Sequence, residues 1–361
     1  MPGVRRRRRR GRGPSGLIAA VTVGIGVVVG ASGGEAGAMP ATGSATALPA
    51  PVAVASSSAD VSSVPDTISV FPKSMSTGSW EWDGSCRFVP VADRRCQGTD
   101  PVFGPVVLNG DLWNLGSKAS GSAVMKISSN GDLTTTAKFS STRQVSTETW
   151  VLGFPNVSYG VSPQAASDSP KPSASLPLPM KITSLPADLI ASSDYKLAGT
   201  SSVRYDLAYD TWLEPQRRVV TPRRGTIELM VWTADGNGAL PPGFRENVSM
   251  SYAVNGVTRS DPWGVYIVNG DQVHATNTTV YLILTKPISD GKVSVDFTRA
   301  FRHMEEELKK YDPRHWSSFS NYYLDTIPLG SEFGRLPGKS ALGPYTWDLY
   351  GYRLEMGMQL P

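Results

Sequence analysis

From about residue 77 onward the chain is a succession of short apolar or alternating segments. They are punctuated by dipeptides such as Asn109-Gly110, Asn130-Gly131, Asn255-Gly256, Asn269-Gly270 and Asp290-Gly291. This punctuation constrains the fold more than any other feature. Asn-Gly and Asp-Gly enter positive φ easily, so the flanking segments are expected to fold back as antiparallel strands. Candidate strands are Val106–Leu108, Ser122–Ile127, Thr134–Phe139, Thr149–Gly153, Pro179–Ile182, Ser202–Leu213, Gly225–Trp232, Val248–Val254, Gly264–Val268, Thr278–Thr285, Lys292–Phe297 and Thr346–Glu355. One stretch has helical spacing instead, with Phe297, Phe301, Met304, Leu308 and Tyr311 on one face. Asp296 is placed to cap its start and Pro313 lies beyond its end. Many strands and one helix predict an all-β sandwich with the helix packed on one sheet.

Within this pattern, Gly225–Trp232 (GTIELMVW) places chemistry on a strand. Side chains alternate, so Ile227, Leu229 and Val231 share a core-type face, while Glu228, Met230 and Trp232 share the other. A carboxylate beside a thioether and an indole suits a sugar-binding face, and a partly buried acid needs a partner or a task. Two further acids occupy comparable settings. Asp210 alternates with Ala208 and Trp212 on the preceding candidate strand, and Glu332 follows an apolar run between Gly330 and Gly334, where the backbone could approach a ligand closely. Two carboxyl groups, one protonated and one ionised, are what glycoside hydrolysis requires.

The N-terminus sets the charge argument apart from the rest. Arg5 to Arg10 and Arg12 precede an uncharged apolar stretch from Leu17 to about Ala31, followed by Ala36-Gly37-Ala38. That order reads as a secretory signal peptide over residues 1–38, with an apolar stretch too short for a comfortable membrane span. Seven arginines and one glutamate lie there, so the formal net charge of +4 becomes slightly negative once they are removed. Nucleic acid is therefore not indicated as a partner. Residues 39–76, rich in Ala, Ser, Pro and Val, read as a flexible linker, leaving residues 77–361 as one catalytic-sized domain. Export makes a Cys86–Cys96 disulfide plausible, and the three histidines form no ligand spacing with these cysteines.

Several blocks together resemble glycoside hydrolase family 12, the endo-β-1,4-glucanase or cellulase family. They are LNGDLWN (108–114), GFPNVSYG (153–160), SLPLPMKITSLP (175–186), YDTWLEP (209–215), IELMVW (227–232), the LPPG turn (240–243), the helix, and LGSEFG (329–334). The resemblance implies an all-β jelly-roll sandwich of two curved antiparallel sheets with one helix on the convex side. It implies a secreted, extracellular, retaining endoglucanase that needs no metal or cofactor, acts on a β-glucan polysaccharide and works as a monomer. Carried over by motif, Glu228 is expected as nucleophile, Glu332 as acid/base, and Asp210 as the acid that hydrogen-bonds the nucleophile. Trp113, Asp111, Met230, Trp232 and Asn156 are expected to bind substrate, with Trp113 stacking on a sugar.

Three departures from the family pattern bear on substrate preference: Asp111 where Asn is usual, Pro328 where Gln is frequent, and Phe333 where Pro is common. Residues 162–175 look inserted. Trp263, Tyr266 and Phe154 are open to reading as sugar platforms or as packing. Asn156, Asn247 and Asn277 each begin a glycosylation sequon. Xyloglucan is the alternative substrate. A sugar-binding jelly roll without catalysis is the alternative class, but it has no need of the three acids together.

Overall fold

In the computed structural model the described residues are 66–71, 78–81, 102–103, 105–116, 118–144, 149–160, 172–199, 201–217, 225–269, 277–311, 313 and 319–361. They fall in one unit, Val61–Pro361. The expected signal segment, Cys86, Cys96 and residues 162–171 of the apparent insertion lie outside them.

Numbered in chain order, the strands of the first sheet run β15 (Val257–Arg259), β14 (Tyr252–Val254), β18 (Asp290–Asp296), β10 (Leu189–Gly199), β21 (Leu342–Met356), β6 (Leu133–Ser141), β5 (Ser120–Ile127) and β2 (Gly78–Glu81). β1 (Asp66–Phe71) also pairs with β21. The second sheet runs β13 (Phe244–Ser249), β16 (Pro262–Asn269), β17 (Thr278–Leu284), β12 (Ile227–Gly236), β11 (Val203–Glu214), β19 (Tyr323–Gly330), β8 (Asn156–Gly160), β4 (Val106–Asn109) and β3 (Val102–Phe103). Short β20 (Phe333–Arg335) continues along β11 and carries β7 (Val151–Gly153), while β9 (Met180–Lys181) extends β19. Among the described strands pairing is antiparallel except for β12 with β17, which run parallel.

The two sheets enclose one large apolar core, to which β11 contributes Leu207, Tyr209 and Leu213 and β12 contributes Ile227, Leu229 and Val231. Tyrosines cross it. Tyr209 donates to Ser193 Oγ at 2.9 Å, Tyr195 to Thr233 Oγ1 at 2.9 Å, and Tyr352 to the Ile327 carbonyl at 2.8 Å. Each joins a strand of one sheet to a strand of the other. A satisfied buried hydroxyl contributes about 1 kcal/mol net, and losing one partner costs more. Burial pushes these three phenols upward, so they remain donors.

The helix α1 spans Phe297–Tyr311, and Asp296 Oδ1 accepts from the Arg299 N–H at 2.9 Å as the cap. Its apolar stripe, including Phe297, Phe301, Met304 and Leu308, enters the main core, with Phe297 edge-on to Tyr209. Asn255-Gly256 forms a tight hairpin between β14 and β15, both residues at positive φ. Asp290-Gly291 differs from expectation: it lies inside β18, paired with Lys196 and Tyr195. Gly291, at φ +126°, leaves room there for the Asn255 side chain.

Several strands depart from the sequence reading, β8 and β19 of the second sheet and β1 and β10 of the first among them. Asp66–Phe71, assigned to the linker, pairs with the last strand and buries Ile68, Val70 and Phe71. β10 was not expected as a strand because Ser192-Ser193-Asp194 interrupts its apolar pattern. Those serines are buried yet satisfied: Ser192 bonds Ser294 and Glu355, and Ser193 accepts from Tyr209.

Candidate active site

The core-directed side chains of β11 and β12 leave a second face, on which a smaller apolar cluster forms from Phe154, Ala208, Met230, Trp232, Ala239 and Ile283. Trp150, Tyr266 and Tyr281 pack against it. Alternation places Asp206, Asp210 and Trp212 on this face with Ala208, and Glu228 with Met230 and Trp232. The register confirms the neighbourhood: Asp210 is opposite Met230, Trp212 opposite Glu228, and Asp206 opposite Asp235.

Glu228 is partly exposed and held from the far side by the parallel neighbour β17. Thr279, its register partner, donates to Oε2 at 2.7 Å, and Asn277 Nδ2 donates to the same oxygen at 2.9 Å. The Asp210 carboxyl hydrogen-bonds the Glu228 carboxylate from β11. Asp210 is 7% exposed, and its Oδ1 receives no other donor. Between two carboxyl groups such a contact is attractive only when one carries a proton. Asn277 and Thr279 were not read as site residues. Asn277 was noted as a sequon position, and a parallel crossover of this kind leaves no local signal in sequence.

Glu332 lies between β19 and β20, opposite a different part of β11. Its N–H donates to Asp206 Oδ1 at 3.1 Å, while the Asp206 N–H donates to the Glu332 carbonyl at 3.1 Å. Ser331 fixes the same step, bonding the Asp206 carbonyl and receiving the Tyr345 hydroxyl. The two carboxyl groups also hydrogen-bond each other. Sequence reasoning passed over Asp206, although it stands two strand periods from Asp210. The flanking glycines serve a different purpose from the one expected. A Cβ on Gly330 would meet Asn156 and Pro155, and one on Gly334 would strike the Trp150 carbonyl. They admit protein backbone beside the acid.

Burial is the largest influence on all four acids and pushes each upward. Partners then separate them. Three hydrogen bonds favour the Glu228 anion, from Thr279, Asn277 and Asp210. Asp210 is driven up further by the charges of Glu228 and Glu332. Glu332 is driven up by Asp206, Glu228 and Asp111, whereas its hydrogen bond favours the Asp206 anion. The arrangement thus favours protons on Asp210 and Glu332 and negative charge on Glu228 and Asp206, the division of states that acid and nucleophile roles need.

The remaining expected residues are placed as follows. Asp111 takes a positive φ of 29°, with its N–H on Asn109 Oδ1 at 3.0 Å, and its charge acts on Asp210 and Glu332. It faces the acids. Trp113 follows, partly exposed, in a loop tied to the 152–154 segment by Phe154 N–H to the Asp111 carbonyl and Asn114 N–H to the Leu152 carbonyl. Met230 and Trp232 are 3% and 1% exposed, with Trp232 edge-on to Tyr281, so they form the packed floor beneath the acids. Asn156, 3% exposed, donates to the Phe154 carbonyl and accepts from Ser158, which shapes the strand beside Gly330. Pro328 coincides with a gap in the β11–β19 register, between Tyr209↔Leu329 and Trp212↔Thr326, as expected of a residue without an N–H. Trp263 is core, donating to the Met250 carbonyl at 2.9 Å.

Comparison with known proteins adds independent findings. The family model described as glycosyl hydrolase family 12 matches residues 104–351. No curated protein matches the chain in a sequence search. Among solved structures, a family 12 xyloglucanase from Bacillus licheniformis with bound ligand superposes with a TM-score of 0.51 at 14% identity, covering 77% of this chain and 98% of that one. Endoglucanase 3 from Trichoderma harzianum, also of family GH12, gives 0.51 at 17% identity, covering 78% and 98%. At these identities the likeness bears on the fold, and the jelly-roll sandwich is shared.

Proposed function

Because the chain belongs to glycosyl hydrolase family 12, and is thus a glycoside hydrolase of the cellulase type acting on polysaccharide, we propose that it is an exported endo-β-1,4-glucanase that retains anomeric configuration. Glu228 is the nucleophile and Glu332 the general acid/base. The observation that carries this reading is the opposite treatment of the two glutamates. Glu228 Oε2 receives two neutral donors and the carboxylate a further hydrogen bond from Asp210, whereas Glu332 is paired with a carboxyl group that favours its protonated form.

In the first step Glu332 gives its proton to the departing glycosidic oxygen while Glu228 attacks the anomeric carbon, forming a glycosyl-enzyme ester. In the second, the Glu332 carboxylate removes a proton from water, which attacks the same carbon and frees Glu228. Asp210 keeps the nucleophile oriented and ionised before attack, and Asn277 and Thr279 hold its other flank. Export is supported by the basic, apolar and small-residue order of residues 1–38.

The test is reducing-sugar release from cellulose, mixed-linkage glucan and xyloglucan, with proton NMR of the first anomer formed. Hydrolysis of at least one glucan to the β-anomer is expected, with the activity lost in Glu228→Gln. First formation of the α-anomer, or undiminished activity in that variant, would overturn the reading.

A further inference from the structure

Asp206 has no part in the family resemblance or in the mechanism just given, yet it is among the most enclosed polar groups in the protein, at 0% exposure. A fully buried carboxyl group needs partners. Its Oδ1 accepts the Glu332 N–H, while its Oδ2 is buried and receives no N–H or hydroxyl donor among the described residues. The Glu332 carboxyl group is the hydrogen-bonding partner that remains, and two carboxyl groups attract only with a proton between them.

We propose that Asp206 is a positioning residue for Glu332, its carboxylate accepting the proton that Glu332 carries and holding that carboxyl group in the donor form and in one orientation. The inference rests on Glu332 being the acid/base. The backbone supports it, because the reciprocal 3.1 Å bonds between residues 206 and 332, with Ser331 clamped to Asp206 and Tyr345, fix the two side chains against each other. The acids around the pair divide: those beside Glu332 favour its proton, while those beside Asp206 push it up and act against its charge, so the hydrogen bond and the Glu332 N–H must outweigh them. Asp235 of β12 and Asp210 of β11 act on Asp206, Glu228 and Asp111 act on Glu332, and the phenols of buried Tyr345 and partly buried Tyr281 stand nearby. When Glu332 releases its proton to the glycosidic oxygen, two adjacent carboxylates remain. Their repulsion is relieved when Glu332 takes a proton from water in the second step. Asp206 gains and loses no proton over the cycle and makes Glu332 the stronger base for that half.

The experiment is a carbon NMR titration of labelled Glu and Asp carboxyl groups in the full chain and in Asp206→Asn. That variant keeps an oxygen for the Glu332 N–H, and the amide spectrum reports whether the fold is intact. The Glu332 midpoint is expected to fall by about one pH unit or more on loss of the neighbouring charge, and the alkaline limb of the kcat/KM profile to move down with it. A midpoint that stays within about 0.3 unit, or rises, overturns the proposal; a unit corresponds to tenfold in the proton equilibrium. Should the variant fail to fold, the wild-type curve decides: a coupled pair gives Glu332 a two-step titration, and a single step overturns the coupling. Failure of the functional reading is separate, since wild-type protein that hydrolyses no β-glucan still reports the Glu332 midpoint.

Discussion

Among the acids of strand β11, Asp206 and Asp210 share one face, and each is paired with a glutamate from a different neighbour. At Asp210 the aspartate holds the proton and Glu228 accepts; at Asp206 the glutamate holds the proton and the aspartate accepts. The same pair of residue types is thus polarised in opposite directions. What differs is the surroundings. Glu228 has Asn277 and Thr279 as additional donors on β17, whereas Glu332 has no such donors on its carboxyl group among the hydrogen bonds described, and meets the charges of Glu228 and Asp111. Which member of a carboxyl pair ionises is decided by the third and fourth groups around it.

The largest effect that sharpens this comparison comes from the glutamates. Glu228→Gln is expected to lower kcat by at least about three orders of magnitude on every glucan, as loss of a nucleophile does. Glu332→Gln should cost about 10²–10⁴ on polysaccharide, but far less in the first step on an aryl glycoside whose leaving group needs no proton. Steady-state and pre-steady-state rates on both substrates check this, and equal losses for the two variants on the aryl substrate would break the assignment.

Next in size is the aspartate beside Glu228. Asp210→Ala removes a donor to the Glu228 carboxylate, so the acidic limb of kcat/KM is expected to move to higher pH, with roughly tenfold or greater loss of rate at pH 5. Asp210→Asn retains an N–H donor and should restore most of both. An acidic limb in the same place for wild type and Asp210→Ala would remove Asp210 from this role.

A smaller effect concerns stability. The folded-state values of these buried acids lie above their unfolded values, so their contribution to stability is fully present below about pH 4 and is lost as pH rises through the folded values. Asp206→Asn removes one such group. Its Tm should exceed wild type by roughly 2–4 °C at pH 7, and the gain should shrink toward pH 4. Calorimetry at the two pH values checks it, and a lower Tm at pH 7 would count against the electrostatic account.

The smallest effect lies outside the cleft. Glu307 on α1 is pushed up to about 7 by burial and by the charge of Glu246 on β13, where Lys310 also pairs with Glu246. Here a cation relieves the pair. Glu307→Gln should leave stability unchanged at pH 4 and raise it modestly above pH 7; a loss at pH 8 would contradict the sign.

Much of the second sheet was legible because its strands carry clean alternation and its turns are marked. Glu228 and Asp210 stood out as acids on such strands, and α1 from its spacing and cap. β10 was hidden because its buried serines spend their hydroxyls inside the sheet, which local hydrophobicity cannot reveal. Asn277 and Thr279 reach Glu228 through a parallel pairing, a long-range event. Asp206 was within reach of the alternation rule, since it shares a face with Asp210, but its partner lies 126 residues away.

The pairing of β1 with β21 sets an order in time. Asp66 meets Met356 and Phe71 meets Tyr352, so β1 waits for residues about 280 positions later to be synthesised before it can dock. Pairing of β1 is therefore a late event, with its open edge presented to chaperones until β21 has been made. A chain stopped short of Leu342 could not complete the first sheet at all, however intact its acids.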